Sequence, residues 1–284
     1  MTKTKSLQGQ YVLLTGGTDG IGRAVLLKLL DQGAEVVVVG RSKEKWNATH
    51  RLIPTAVVSK VDFCCYDLSL MQNVRGLVED ILGRNRQVSI LIHCAGVMLR
   101  KKTMTAEGLE VVFAVQYLAR FYLNKLLISH LEATKGKVIV VSAGGTISRM
   151  NFDFNNLQGD KFYNGVHALK HESVANDIQV LEAAKRHPQV DWYNYGPGVV
   201  RTGLLRDMGS ALRAVAHVVG YCISVSSENA ADDIMTLILS QLPSGLYIRG
   251  AKPNTPSSFR SDPKNQIRLR NVSEVLIERA LVPR

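Results

Sequence analysis

Short, β-branched apolar runs alternate with longer amphipathic stretches through the first two thirds of the chain. Six runs have the length and residue types of buried strands, and helical patterns separate them. The runs cover 11–15, 35–40, 61–65, 88–93, 137–142 and 191–195, and the clearest helical patterns cover 20–33, 107–131 and 168–187. Because parallel neighbours need right-handed helical crossovers, this alternation predicts an α/β fold with a doubly wound parallel sheet in a three-layer αβα arrangement.

The 284 residues contain no repeat of 20 to 50 residues and no low-complexity linker. We therefore expect a single domain over 1–284, a size at which one chain buries a substantial core. The core is predicted to span about 8–250, followed by a C-terminal tail, 251–284. The first part of this tail, 251–272, is polar and contains prolines, which predicts loose packing.

Charge and cysteine usage exclude several classes of function. The net charge of +11 suits an anionic ligand such as a nucleotide, but the basic residues are scattered, so no nucleic-acid partner is predicted. No CxxC pair is present, which argues against a metal site or a disulfide framework. The cysteines are Cys64, Cys65, Cys94 and Cys222.

The N-terminal segment, MTKTKSLQGQ, has no apolar stretch of the kind found in secretory signals. The apolar segment 211–225 contains Arg213 and His217 and is too short to cross a bilayer. We therefore predict a cytoplasmic protein without a membrane span.

A glycine-rich loop, TGGTDGIG (15–22), follows the first strand and opens the first helix. Glycines here allow a tight turn and let backbone N–H groups approach phosphates at the helix N-terminus. The predicted cofactor contacts in this loop are Gly16, Thr18, Gly20, Ile21 and Gly22. A glycine-rich turn without a ligand is the alternative.

The end of the second strand carries Arg41, with Ser42 beside it. A binder of the ribose 2′-hydroxyl would place Asp or Glu at this point, whereas arginine pairs with a 2′-phosphate. NADP(H) is therefore favoured over NAD(H). Asp19 adds a negative charge nearby and opposes this preference, and a solvated Arg41 is the alternative.

With these motifs placed, the chain resembles the short-chain dehydrogenase/reductase family, particularly its retinol-dehydrogenase-like branch, over about residues 8–250. The motifs are TGGTDGIG, YDLS (66–69), HCAGVM (93–98) and NYGPGVVRT (194–202). The resemblance implies a Rossmann-type fold and possible homo-oligomers formed through the long helices. It also implies further cofactor contacts at Asp67, Leu68, Cys94, Ala95, Gly96, Pro197, Gly198, Val200 and Thr202.

The chemistry of that family depends on four residues, Asn, Ser, Tyr and Lys, and none of them is present at the matching positions. The motif FAVQ has Gln116, VVSAGG has Ala143, and ALKHESVAN has Leu169 and Ser173. A second frame would pair Tyr163 with His167, but it breaks the match at Ala175 and Asn176. We therefore predict that classical hydride transfer is not the task of this site.

Three functions remain open. In the first, a repurposed enzyme acts on a small hydrophobic metabolite in natural-product biosynthesis, by a non-redox cyclisation or isomerisation. Glu172 would then be the acid and Gln116 an oxyanion donor, although Glu172 could instead be a solvated helix residue. In the second, an NADPH-dependent reductase takes its proton from Tyr195, Tyr163 or water. The third is a catalytically silent NADP(H)-binding protein.

Overall fold

The computed structural model describes residues 7–143, 146, 152–198 and 225–282. Within these residues, eight strands form one sheet in the order β3-β2-β1-β4-β5-β6-β7-β8, and β8 alone runs antiparallel to its neighbour. The strands are β1 Tyr11–Thr15, β2 Glu35–Gly40, β3 Val61–Cys65, β4 Ile90–His93, β5 Lys137–Val141, β6 Asp191–Gly196, β7 Gly245–Ile248 and β8 Lys252–Asn254. The six predicted strands and the Rossmann-type parallel sheet are confirmed.

Helices fill the connections between these strands. They are α1 Gly20–Asp31, α2 Lys43–His50, α3 Met71–Leu82, α4 Val111–Phe113, α5 Ala119–Thr134, α6 Gly165–Arg186, α7 Ser227–Leu239, α8 Ser258–Ser261 and α9 Pro263–Leu281. A 3₁₀ helix covers Thr55–Lys60, and a π-helical segment, Ala114–Leu118, joins α4 to α5. The helix predicted over 107–131 is therefore observed over 111–134, with one π-helical turn within it.

The core lies on both faces of the sheet because β1 and its neighbours are buried on both sides. Val12 and Leu14 point into a cluster with α1 and α7, whereas Leu13 points into the cluster with α3, α5 and α6. Side chains of a strand alternate between faces, so a continuous apolar run fits a strand covered by helices on both sides.

The prediction that the core ends near residue 250 is wrong. Strand β8 pairs with β7, and α9 packs against α6 and α3. Leu269, Ile277 and Ala280 of α9 belong to the main core cluster. The polar composition of the segment concealed apolar residues that recur at helical spacing on one face of α9.

A buried ion pair holds the start of this C-terminal region in place. Arg260 Nε lies 2.9 Å from Asp177 Oδ2, and the two residues are 2% and 1% exposed. The other carboxylate oxygen, Asp177 Oδ1, accepts a hydrogen bond from Asn194 Nδ2 at 2.7 Å. The pair therefore connects α8 to α6 and to β6.

Helix α9 also packs along the long helices α5 and α6, through which the resemblance implies oligomer contacts. Its Ser273 hydroxyl is hydrogen-bonded to Tyr117 at 2.8 Å, and Glu274 pairs with Lys125 of α5. Arg270 pairs with Glu182 of α6. In the described part of the chain, α9 therefore occupies part of the surface of these long helices.

One helical stretch among the described residues, Val111–Thr134, is long and apolar enough to span a membrane. Its most apolar window is 72% buried inside the domain. This is the pattern of a core helix packed between the sheet and its neighbours.

Replacing Arg260 by methionine should destabilise the fold strongly, because Asp177 would be left as a buried charge without its cation. Breaking a buried pair in this way typically costs about 3–5 kcal/mol. Urea unfolding followed by circular dichroism measures the change. The exposed Arg279→Met is the matched control, and a loss for Arg260→Met no larger than for this control would contradict the assignment.

Candidate functional site

The turns after β1 and β4 touch each other at the point where the strand order reverses. A Cβ on Gly16 would lie 2.5 Å from Ala95 N, and a Cβ on Gly22 would lie 2.2 Å from Gly16 O. Gly16 and Gly20 both have positive φ values, 74° and 51°. In doubly wound sheets, ligands bind at this switch point, beside the carboxyl ends of the strands.

The other predicted cofactor residues lie at the same edge of the sheet. Arg41 is exposed at the end of β2, and in the described structure its guanidinium has no ion-pair partner. Ser42 caps α2 by accepting a hydrogen bond from Lys45 N at 3.1 Å. The remaining residues follow β1 (Thr18), open α1 (Ile21), or follow β3 (Asp67, Leu68), β4 (Cys94, Ala95, Gly96) and β6 (Pro197, Gly198). Val200 and Thr202 lie outside the described residues.

Asp19 occupies the N-terminus of α1, where a phosphate would be expected. Its Oδ1 accepts a hydrogen bond from Gly20 N at 2.8 Å, and its Oδ2 lies 3.3 Å from Lys45 Nζ. Lys45 is a basic residue beside Arg41 that the sequence argument missed, since its position on α2 becomes clear only in the fold. Arg41 and Lys45 together outweigh Asp19, so the local charge fits a cofactor phosphate.

The structure brings together the four positions at which the resemblance would place the family's catalytic residues. Ser173 Oγ accepts a hydrogen bond from Ala143 N at 3.2 Å and lies 2.8 Å from Leu169 O. Gln116 lies in the π-helical segment, and its carbonyl accepts a hydrogen bond from Asn176 Nδ2 at 2.8 Å. The assignment of Leu169 and Ser173 to two of the family's catalytic positions stays a prediction.

Glu172 lies at the centre of this network, and the alternative of a solvated glutamate is wrong. The residue is 3% exposed. Its Oε1 lies 3.1 Å from Ser173 Oγ, and its Oε2 accepts a hydrogen bond from Asn176 Nδ2 at 2.6 Å. Burial raises the pKa of Glu172 to about 7, although the Arg120 charge acts in the opposite direction. The carboxyl group can therefore exchange a proton near neutral pH.

A second layer of buried polar groups lies beneath Glu172, and the sequence argument missed its main member, Arg120. Arg120 is 3% exposed, and its Nη2 donates a hydrogen bond to Ala95 O at 2.8 Å. His93 Nε2 is 2.9 Å from Asn124 Oδ1, and burial lowers the pKa of His93 to about 3. His93 is thus neutral. An arginine inside the apolar pattern of 111–134 was the available signal.

Two tyrosines named as possible proton donors make their hydrogen bonds outside this network. Tyr195 is fully buried on the side of the sheet that faces α7, where its hydroxyl donates a hydrogen bond to Asp233 Oδ2 at 2.6 Å. Naming Tyr195 as a proton donor was therefore wrong. Tyr163 precedes the first residue of α6 and donates to Leu99 O at 3.2 Å. It does not share a helix with His167.

The side chain of Gln116 also forms a hydrogen bond within the protein. Its Nε2 donates a hydrogen bond to Val97 O at 3.1 Å, and the residue is 5% exposed. One of the two hydrogens of this amide therefore holds the turn after β4, and the role of Gln116 as an oxyanion donor stays a prediction.

With this geometry in place, comparison with known proteins decides the family. Residues 10–153, half of the chain, match the family profile described as short chain dehydrogenase. The chain belongs to the short-chain dehydrogenase family. Its relatives include bovine retinol dehydrogenase 12, which is 31% identical over 94% of this chain and 86% of that protein. The resemblance to the retinol-dehydrogenase-like branch is confirmed.

Human retinol dehydrogenase 11 is 33% identical over 72% of this chain, and the matched part spans 65% of that protein's length. Among solved structures, the Pseudomonas aeruginosa RhlG/NADP active-site complex is similar, with a TM-score of 0.69 and 20% identity. That similarity covers 92% of this chain and all of RhlG, and it shows a common fold.

The close approach of the start of α1 to the Gly16 backbone makes a direct prediction for Gly22→Ala. The new methyl group would meet backbone rather than a flexible side chain, so the turn must move, and overpacking of this kind costs about 1–3 kcal/mol. Gly245→Ala in β7 is the control, because a Cβ there meets no atom within 4 Å. Urea unfolding and a calorimetric titration with NADPH should show losses for Gly22→Ala alone. Equal behaviour of the two variants would contradict the close approach.

Proposed function

We propose that this short-chain dehydrogenase family member binds NADP(H) and acts on a small hydrophobic metabolite without net hydride transfer. The observation that carries the proposal is the buried Glu172 carboxyl, in a network that joins the matching positions of all four missing catalytic residues. Its elevated pKa supports an acid–base role for this site.

Hydride chemistry on a carbonyl group needs a proton donor for the alkoxide and a group that orients the carbonyl. Leu169 has no dissociable proton, and Ala143 has no hydroxyl group. Losing one positioned acid alone costs about 10²- to 10⁴-fold in rate. Ser173 does not replace the lysine, because its hydroxyl is held by Ala143 N and Leu169 O.

The network around Glu172 is compatible with both protonation states of the carboxyl. When Glu172 is ionised, its oxygens accept hydrogen bonds from Asn176 and Ser173. When it is protonated at Oε1, it can donate to Ser173 Oγ, whose own proton then goes to Leu169 O. A group that is satisfied in both states can give a proton and take it back, as an isomerisation or a cyclisation requires.

NADP(H) as the bound nucleotide is supported by Arg41 and Lys45 at the end of β2 and the start of α2, and by the NADP named for RhlG. When bound, NADP(H) would supply a hydride donor or acceptor. In this proposal it stays bound and is not consumed. The retinol named for two relatives supports a hydrophobic substrate of isoprenoid or similar size. A role in natural-product biosynthesis is part of the proposal.

An NADPH-dependent reductase is the second candidate, because the family and the relatives named above are dehydrogenases. With Tyr195 bonded to Asp233, its proton would have to come from Tyr163, water or Glu172. The third candidate is a protein that binds NADP(H) without catalysing a reaction. The burial of Glu172 favours this candidate, because a buried carboxyl is hard for a substrate to reach.

Cofactor selectivity tests the nucleotide part of the proposal. We expect NADPH to bind more tightly than NADH, and Arg41→Ala to erase most of the difference, because the 2′-phosphate loses its exposed guanidinium. Isothermal titration calorimetry with both nucleotides measures the preference. Arg51→Ala, an exposed arginine after α2, is the control. Equal affinities in the parent protein would contradict the prediction.

Restoring the four family residues tests the non-redox part. The parent protein, given NADP⁺ and retinol, should produce no NADPH above a protein-free blank. A variant that combines Gln116→Asn, Ala143→Ser, Leu169→Tyr and Ser173→Lys should form NADPH at least about 10²-fold faster than that blank, because it regains a positioned general base for the alcohol proton. NADPH absorbance measures both, and calorimetry checks that both proteins bind NADP⁺. Steady NADPH formation by the parent protein would contradict the proposal.

A further inference from the structure

Arg120 is a buried arginine whose side-chain nitrogen atoms are only partly hydrogen-bonded. It is 3% exposed, and only its Nη2 has a partner, Ala95 O. Among the described residues, Nε and Nη1 have no hydrogen-bond partner. Burying a guanidinium with two unsatisfied nitrogen atoms costs several kcal/mol, so a compensating interaction is expected.

The groups around Arg120 leave one source of compensation. His93 is neutral and held by Asn124, and the thiol of Cys94 lies in the same region. Glu172 is connected to the helical stretch of Arg120 through Asn176, whose Nδ2 donates hydrogen bonds to Glu172 Oε2 at 2.6 Å and to Gln116 O at 2.8 Å. Gln116 lies one helical turn before Arg120, and Glu172 is the buried carboxyl group whose charge acts on Arg120. Buried charges interact more strongly than charges in water because the local dielectric constant is low.

We propose that Arg120 is a positioning residue for the Glu172 site, where its guanidinium fixes the turn at Ala95 and supplies from α5 the buried positive charge that an ionised Glu172 requires. The chain has lost the lysine of α6 and has a serine in its place. In this arrangement the cation of the site comes from the neighbouring helix. This inference rests on the proposed role of Glu172.

Besides burial, four groups have the largest effects on the pKa of Glu172 in the described structure. Arg120 of α5 lowers the pKa of Glu172, and Asp177 of α6 raises it. Ser173 and Asn176 of α6 lower it through their hydrogen bonds. Burial acts against all three favourable groups and raises the pKa. If Arg120 loses its charge, burial and Asp177 are opposed only by the two hydrogen bonds, so Glu172 should stay protonated to higher pH.

Carboxyl ¹³C NMR of protein labelled at glutamate measures this directly and needs no substrate. The Glu172 signal is assigned by its absence in Glu172→Gln. In the parent protein the signal should titrate with a midpoint near 7. Arg120→Met should raise the midpoint by about 1 to 3 pH units, the range found when a neighbouring opposite charge is removed. Arg120→Lys keeps a positive charge, so its Glu172 midpoint should lie close to that of the parent protein.

Arg120→Gln is a second neutral variant, because it keeps a donor for the Ala95 carbonyl and is the better choice if Arg120→Met does not fold. Near-ultraviolet circular dichroism checks folding, and Arg279→Met is the control for a change of net charge. An unchanged Glu172 midpoint in either folded neutral variant would overturn the inference. Failure of the proposed function is seen separately, as turnover that survives Glu172→Gln.

Discussion

The close approach of two turns, after β1 and after β4, is the contact on which the site depends. Gly16 lets the two backbones meet there, and Gly22 lets the start of α1 approach the Gly16 carbonyl. Arg120 then donates a hydrogen bond from α5 to the Ala95 carbonyl. The steric requirement at these glycines therefore connects the glycine-rich loop to the buried guanidinium of Arg120.

The polar groups at the family's catalytic positions form hydrogen bonds mainly with one another. Ser173 joins Ala143 to Leu169, and Asn176 joins Gln116 to Glu172. A half-satisfied polar network in a core is costly, which fits the pairing of these groups with one another. Glu172 adds a buried carboxyl to the network, and in the proposed function its chemistry is proton exchange near neutral pH.

How much the sequence could predict depended on whether a feature is local. The strands and the glycine loop follow from β-branched runs and turn residues, so their positions were predicted within a few residues. Helix α9 was missed because polar residues dominate its composition, although Leu269 and Ile277 lie on one face. The prediction for Tyr195 was wrong because side chains alternate between the two faces of a strand, and Tyr195 lies on the face of β6 that is covered by α7. The role of Arg120 needed the fold, since the Ala95 carbonyl that it binds lies 25 positions away in the chain and Glu172, whose charge acts on it, lies 52 positions away.

The central claim is that this site has exchanged hydride transfer for proton transfer by Glu172. Its most direct test uses NADPH deuterated at the transferable position, incubated with the native substrate and followed by mass spectrometry of the product. The account predicts product without deuterium, NADPH that stays bound and unchanged, and turnover abolished by Glu172→Gln. Deuterium in the product at the rate of turnover, surviving Glu172→Gln, would contradict it.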